Sequence, residues 1–441
     1  MSTLAAERPS GPFASTPGAG VGRVPGERDD GLLRFLTCGS VDDGKSTLIG
    51  RLLLDTRSIL ADTLHAIERT SKRRGHAAVD LSLLTDGLQA EREQGITIDV
   101  AYRSFSTGTR RYIIADAPGH EQYTRNMVTA ASTAHLAVIL VDARKGVLTQ
   151  TRRHSVIAHL VGIPHLVIAV NKMDLVGWSR DVFERIRAEY LAFAAKAGIR
   201  DVRFIPISAL DGDMIVERGG RLGWYGGPTL LEVLESAPAA HTEGREVFRF
   251  PVQWVCRPQT LEHHDFRGYA GRVESGEVAA GDVVTVLPSG RTTRVKEIRL
   301  GETPIRRAAS EQSVMLLLED DLDVSRGDML VHAREAPEPA RTLDAVVCWL
   351  SERPLSPSRR YVVRHTTREV RAQPVEIAWR LDLAELREVP AQGLSMNDIG
   401  RVKFRLAQPI AADRYAENRA TGAFIVVDEA TNDTAGAGMI R

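Results

Sequence analysis

Cysteine is scarce in this chain. There are three in 441 residues, Cys38, Cys256 and Cys348, and they lie far apart. That excludes a short-spaced zinc site, leaves one thiol over from any disulfide pair, and demands no oxidising compartment. Net charge is missing as well: 57 Lys and Arg balance 57 Asp and Glu, so the global field of a strongly basic polyanion binder is absent, although local patches stay open. No apolar run reaches the roughly 18 residues of a spanning helix, and no apolar core near the N-terminus marks a secretory signal. These absences point to a soluble, cytoplasmic protein with no membrane and no nucleic-acid partner. At roughly 150 residues per domain, the length suggests about three domains.

The expected boundaries follow composition and period. Residues 1–30 are rich in Pro, Gly, Ser and Arg and hold too little apolar surface to offset ordering, so a disordered tail is expected. Over 31–240, short apolar runs (LLRFLTC, RYIIADA, HLAVILVDA, PHLVIAVNK, VRFIPISA) alternate with helical segments. Helices are expected from Lys45, over about Gln122–Ser132, Thr151–Val161 and Asp181–Lys196, and near Pro228–Ser236. Such alternation predicts an α/β domain, with a mainly parallel sheet and helices on both faces. APAAHTEGRE then reads as a linker. From Glu246 the period becomes two, with turn signals between short alternating strands. Two all-β barrel domains are expected, over 245–338 and 341–441, because closure removes exposed edges.

Three motifs in the first domain carry chemistry. Gly39-Ser40-Val41-Asp42-Asp43-Gly44-Lys45-Ser46, with Thr47 behind it, matches the Gly-x4-Gly-Lys-Ser/Thr phosphate loop and sits between a strand and a helix. Its glycines permit tight turns, so successive N–H groups can face a β-phosphate. Lys45 supplies charge between the β- and γ-phosphates, Ser46 offers a hydroxyl to Mg2+, and the helix N-terminus favours an anion. Asp116-Ala117-Pro118-Gly119-His120 ends a strand. A carboxylate there can hold Mg2+ through water, the Gly119 N–H can approach a γ-phosphate, and His120 would stand near an attacking water. In the run Glu91–Asp99, Thr97 is a second candidate hydroxyl ligand for Mg2+, able to order and release with hydrolysis. The plainer reading of that run is a solvated charge cluster.

A fourth segment addresses a base. Asn171-Lys172-Met173-Asp174 follows a strand, and the Asp174 carboxylate can accept from guanine N1–H and N2–H2, a donor pair adenine lacks. A site built on such bonds rejects the analogue by about 10⁴–10⁵. The Lys172 stem would cover one face of the base and Asn171 would tie loops together. Ser208-Ala209-Leu210 places a backbone N–H within reach of guanine O6. The expected ligands are therefore GTP and Mg2+, with His120 and Lys45 as catalytic groups.

In this order the segments resemble the translation-factor class of GTPases. FLTCGSVDDGKSTLIGRLLLDT, DGLQAEREQGITIDVAYRSF, IIADAPGHEQYTRNMVTAAS and the tail NDIGRVKFRLAQPI with NRATGAFIVVDEATNDTAGAGMI look like the large, GTP-binding subunit of bacterial sulfate adenylyltransferase. The resemblance covers nearly all of the chain after residue 30. It implies a heteromeric enzyme, a heterodimer or larger. In it a separate small subunit transfers AMP from ATP to sulfate, giving adenosine 5′-phosphosulfate and pyrophosphate, while this chain's GTP hydrolysis drives the reaction. It also implies that Asp42 lies beside the phosphates and His120 positions the hydrolytic water. Some such relatives carry a fused adenylylsulfate kinase; with the sequence ending at Arg441, that activity is expected to be absent. Ala117 stands where the class often has Thr or Cys. Two rivals are an elongation-factor-like carrier of aminoacyl-tRNA and a stand-alone ATP sulfurylase; against the latter, only one phosphate loop is present and no Ser-Gly-Gly-x-Asp-Ser loop for ATP.

Other residues read more plainly. His263-His264 point to opposite faces of a strand and suggest a polar loop rather than a metal pair. His154 and His159 are five apart on a helix and read as structural or surface. Arg359-Arg360 and Arg364–Arg371 read as a solvated barrel face rather than an RNA contact, and Cys38 as a core residue.

Overall fold

The computed structural model describes residues 31–59, 62, 64, 65, 67, 69, 71, 81–84, 99–120, 123–238, 247–257, 266–383 and 385–441. The expected tail, most of the expected linker, the run 91–98 with Thr97, and His263–Asp265 lie outside the described residues.

The first domain is built on six strands: β1 (Leu32–Cys38), β2 (Ala101–Ser106), β3 (Arg111–Asp116), β4 (Leu136–Asp142), β5 (His165–Asn171) and β6 (Val202–Pro206). They order as β2-β3-β1-β4-β5-β6, every pair parallel except β2–β3. The helices are α1 (Lys45–Asp55), α2 (Thr124–Ala131), α3 (Thr149–Leu160), α4 (Arg180–Ala197) and α5 (Leu230–Ser236). Strand β4 shows why the sheet is covered twice. Ala137, Ile139 and Val141 pack on one face with Met127 of α2, Ile157 of α3 and Phe183 and Tyr190 of α4. Leu136, Val138 and Leu140 pack on the other with Leu48, Ile49 and Leu52 of α1 and Leu230 and Val233 of α5. A run apolar at every position is what a strand buried on both faces requires. The parallel strands all end on one edge, so the loops after β1, β3, β4, β5 and β6 converge there, where open α/β sheets bind ligands.

Both later sheets close into barrels, and neither keeps a long free edge. In the first, Val283–Leu287, Met329–His332, Arg249–Cys256, Gly268–Arg272, Ser313–Leu318 and Arg291–Leu300 pair in turn and the last returns to the first. In the second the ring runs Tyr361–His365, Ala423–Asp428, Thr434–Ile440, Ala340–Trp349, Ile399–Ile410 and Arg368–Asp382, closed by the first and last. The barrels are joined by a buried fork: Arg249 Nε and Nη2 each donate to Asp413 at 2.8 Å, and Thr421 donates to the same carboxylate. Arg368 of the second barrel donates to Asp328 of the first at 3.1 Å. The second barrel also holds the first domain. Tyr415 and Arg419 donate to the Val161 carbonyl at the end of α3, and Arg125 of α2 donates to the Leu350 carbonyl at 2.9 Å. Among the described residues no helix is long and apolar enough to cross a membrane.

Candidate functional site

The turn from β1 into α1 is made by Gly39–Gly44. Asp42 and Gly44 take left-handed φ values of 67° and 91°, and α1 starts at Lys45 with Leu48 N–H bonded to Gly44 O. Asp43 braces the turn: its Oδ2 accepts from Ser40 N–H at 2.7 Å, while its own N–H donates to Ser40 O. Burial pushes the Asp43 carboxyl up to about 6, against the lowering effect of the Ser40 N–H. Its Oδ1 and the Ser40 hydroxyl are buried without a hydrogen-bond partner. Gly119, after β3, comes so close that a Cβ on it would lie 2.3 Å from the Gly39 carbonyl oxygen. Only glycine fits.

Lys45, 8% exposed, pairs with the buried Asp116 carboxylate at the end of β3. Thr37 of β1 also donates to Asp116, at 3.4 Å. Cation and carboxylate are thus side by side under the turn, with the half-buried Ser46 in the next helical position. His120 is exposed, its ring 6.2 Å from that of Tyr123.

The loop after β5 is locked to the glycine turn. Asn171 Nδ2 donates to Asp43 O at 2.7 Å and its Oδ1 accepts from Ala209 N–H at 2.9 Å, so one buried amide joins three loops. Lys172 donates to Asp42 O and pairs with Asp142 at 3.0 Å. Burial acts to raise the Asp142 carboxyl, but hydrogen bonds from Arg144 and Lys172 outweigh it and hold it well below the usual carboxylate range. Asp174 opens the short 3-10 turn Met173–Val176, half-exposed. The N–H of Ser208 goes to Asp213 O and that of Ala209 to Asn171. This leaves Leu210, which is exposed, as the member of Ser208–Leu210 whose N–H a base edge can use.

Known proteins share the domains of this chain. A family model described as the Elongation factor Tu GTP binding domain matches residues 30–239, and one described as GTP-eEF1A C-terminal domain-like matches 342–441. "Sulfate adenylyltransferase subunit 1" of Cellvibrio japonicus is 54% identical over 93% of this chain and 86% of its own. That of Salmonella paratyphi C is 51% identical over 93% and 85%. The chain belongs to the sulfate adenylyltransferase subunit 1 family. The "Bifunctional enzyme CysN/CysC" of Mycobacterium tuberculosis H37Rv is 53% identical over 93% of this chain and 67% of its own length. A solved structure, sup35 complexed with GMPPNP, covers 94% of this chain and 95% of its own at 24% identity and a TM-score of 0.42.

As a member of the sulfate adenylyltransferase subunit 1 family, the chain is an enzyme subunit built on a GTP-binding domain, and the word "subunit" implies a partner. The observed groups fit a triphosphate: a glycine turn that a Cβ would fill, a buried ammonium and the buried Ser40 hydroxyl, a donor without a partner. They also fit Mg2+. Ser46 and Asp116 are hard oxygen donors, one helical step from Lys45 and at the end of β3. Mg2+ is typically held that way, by one or two protein oxygens plus phosphate.

Gln150, which the sequence did not single out, and His154, read there as structural or surface, lie against the Gly119 loop. Gln150 Nε2, in the first turn of α3, donates to the Gly119 carbonyl at 3.0 Å and lies 3.1 Å from His154 Nε2. The signal present in the sequence is Gln-x-x-x-His, four apart and so on one helix face. Burial drives the His154 pKa down to about 3. The Arg359–Arg371 patch is ion-paired rather than bare: Arg359 with Asp428, Arg364 with Glu369, Arg371 with Glu429 and Arg368 with Asp328. Burial likewise pushes the Cys38 thiol up to about 12, in keeping with a core residue.

Proposed function

We propose that this chain is the GTP-hydrolysing subunit of a heteromeric sulfate adenylyltransferase. GTP lies between the Gly39–Ser46 turn and Asp174. Lys45 and the N–H groups of the Ser40–Thr47 turn other than those of Ser40 and Asp43, which bond within the turn, neutralise phosphate charge, the kind of electrostatic stabilisation that dominates phosphoryl transfer. Ser46, Thr97 and Asp116 would hold Mg2+, which when bound would add positive charge beside the phosphates. Asp174 selects guanine, Lys172 covers the base, and Leu210 N–H meets its O6. Gly119 N–H meets the γ-phosphate and His120 orients the attacking water. The supporting observation is the double tie of Asn171 and Lys172 to Asp43 O and Asp42 O, because it fixes the spacing between a base site and a phosphate site within one rigid frame.

Hydrolysis then drives AMP transfer from ATP to sulfate on a separate small subunit, in the cytoplasm, giving adenosine 5′-phosphosulfate and pyrophosphate. The relatives' names support this assignment. The test is purification of the chain with whatever copurifies, followed by sulfate-dependent pyrophosphate release with and without GTP. A small adenylyltransferase-like subunit and GTP-stimulated release are expected. Copurifying tRNA supports an elongation-factor-like carrier instead, and sulfate-dependent release by the chain alone supports a stand-alone ATP sulfurylase.

A further inference from the structure

Gly119 meets two conflicting demands. Its closeness to the Gly39 carbonyl admits no side chain, and a residue without a Cβ has the freest backbone of all. The peptide that carries the Gly119 carbonyl also carries the His120 N–H, and it is planar. If that peptide rotates, the backbone of His120 turns with it. Tyr123 N–H holds the far side of His120 through its carbonyl at 3.1 Å; the Gly119 carbonyl is held from α3.

Gln150 does so. Its Nε2 donates to Gly119 O from the first turn of α3, an element packed into the sheet through Val156 and Ile157. The same Nε2 lies 3.1 Å from His154 Nε2. An amide –NH2 has two N–H donors, so both contacts are made together when His154 Nε2 is an acceptor. Burial, with the positive charge of Arg153 and Lys45, keeps the ring neutral, as that role requires. His154 Nδ1 is buried with no partner. An unpaired buried polar atom costs about 1–3 kcal/mol, a cost that a ring serving only as packing has no reason to carry. The other nitrogen compensates by fixing the Gln150 amide.

We propose that Gln150 is a positioning residue for GTP hydrolysis: its amide, aimed by His154, pins the Gly119–His120 peptide and thereby sets where His120 meets the attacking water. This rests on the GTPase reading of the site and deepens it. Neither side chain touches nucleotide, so the pair acts on the rate and not on binding.

The experiment measures kcat and KM for GTP, the Kd for GDP and thermal unfolding, using the full chain as wild type, Gln150→Leu, His154→Phe and the double variant. Gln150 is half-buried and its Leu variant is expected to fold. Misplacement by about 1 Å costs roughly a hundredfold, so Gln150→Leu is expected to lower kcat by about tenfold to a hundredfold, with KM and Kd within about threefold of wild type. His154→Phe keeps a ring but removes the acceptor, and should lower kcat less. The double variant should equal Gln150→Leu, because the two residues act as one unit. An unchanged kcat, a loss matched in KM and Kd, or additive losses in the double variant overturns the proposal. A wild-type chain that binds no guanine nucleotide overturns the site reading itself, an outcome visible before any variant is made.

Discussion

Asp43→Asn tests the electrostatics of the glycine turn. The Asp43 side chain is buried, accepts one hydrogen bond from Ser40 N–H, and leaves Oδ1 unpaired. Burial raises its pKa from 3.8 to about 6. At 1.36 kcal/mol per unit, that displacement amounts to about 3 kcal/mol. The sign follows from proton binding. Between pH 3.8 and about 6 the folded chain holds a proton that the unfolded chain has released, so stability falls as pH rises through that window, and the whole penalty is present above it. Asparagine keeps the size and the acceptor but carries no charge at any pH. The variant should therefore match wild type near pH 4 and exceed it by about 3 kcal/mol at pH 7.5, roughly 6–12 °C in Tm for a unit the size of the first domain. Calorimetric scans of both proteins from pH 4 to 8 measure this. A gap that is equal at both ends of the range, or an Asn variant less stable at pH 7.5, refutes the assignment of a buried, proton-hungry carboxyl.

Three other outcomes are expected. Asp174→Asn should lower the preference for guanine over xanthine nucleotides by about 10⁴, read by competition binding; unchanged GTP affinity would remove Asp174 from the base site. Gly119→Ala places a methyl 2.3 Å from a backbone carbonyl, where no flexible side chain can yield; a cost of about 2–3 kcal/mol, roughly a hundredfold in Kd for GTP, should follow. Arg249→Leu leaves Asp413 buried without its fork, which typically costs about 3–5 kcal/mol in denaturant unfolding of the barrels. Arg249→Leu with Asp413→Leu should recover much of it. Burial acts to raise Asp413, but hydrogen bonds from Arg249 and Thr421 prevail and hold it below its ordinary value. The fork's contribution is therefore present above the usual carboxylate range and lost on acidification through the lowered pKa.

What could be read from the sequence depended on how much of each element's role lay in its own residues. β4 and β5 are apolar throughout because both faces are covered, and α1 follows its glycine turn directly; all were legible. β2, with AYRSFS, was missed. It is an edge strand with one buried residue, Phe105, stacked 4.4 Å from Tyr112, and a half-exposed edge needs no apolar run. Thr434–Ile440, TAGAGMI, was missed because its small residues serve another chain segment: a Cβ at Gly438 would lie 2.2 Å from the Phe424 ring, so the aromatic occupies that space. At the site, the loops were legible because each motif is contiguous. Gln150 was not, since its partner, the Gly119 carbonyl, is 31 residues upstream and backbone acceptors leave no mark in a sequence.

The relative strength of the contacts between domains indicates where the molecule can yield. The barrels share a buried, bidentate ion pair whose rupture typically costs about 3–5 kcal/mol, reinforced by Arg368 on Asp328. The second barrel meets the first domain through buried apolar residues, Cys348, Leu350 and Ile399 in one cluster with Met127 and Ile157, and through hydrogen bonds to carbonyl oxygens, Tyr415 and Arg419 on Val161 and Arg125 on Leu350. Such bonds are worth about 1–3 kcal/mol each when an ion donates, and water replaces them at once. Parting the barrels therefore strands a buried charge, whereas parting the first domain from the second barrel exposes apolar surface. Both helices gripped at that seam adjoin the Asp116–His120 loop: α2 follows it in sequence, and α3 touches it through Gln150. The loop thus contacts the seam from two sides, through α2 at Arg125 and through α3 at Gln150.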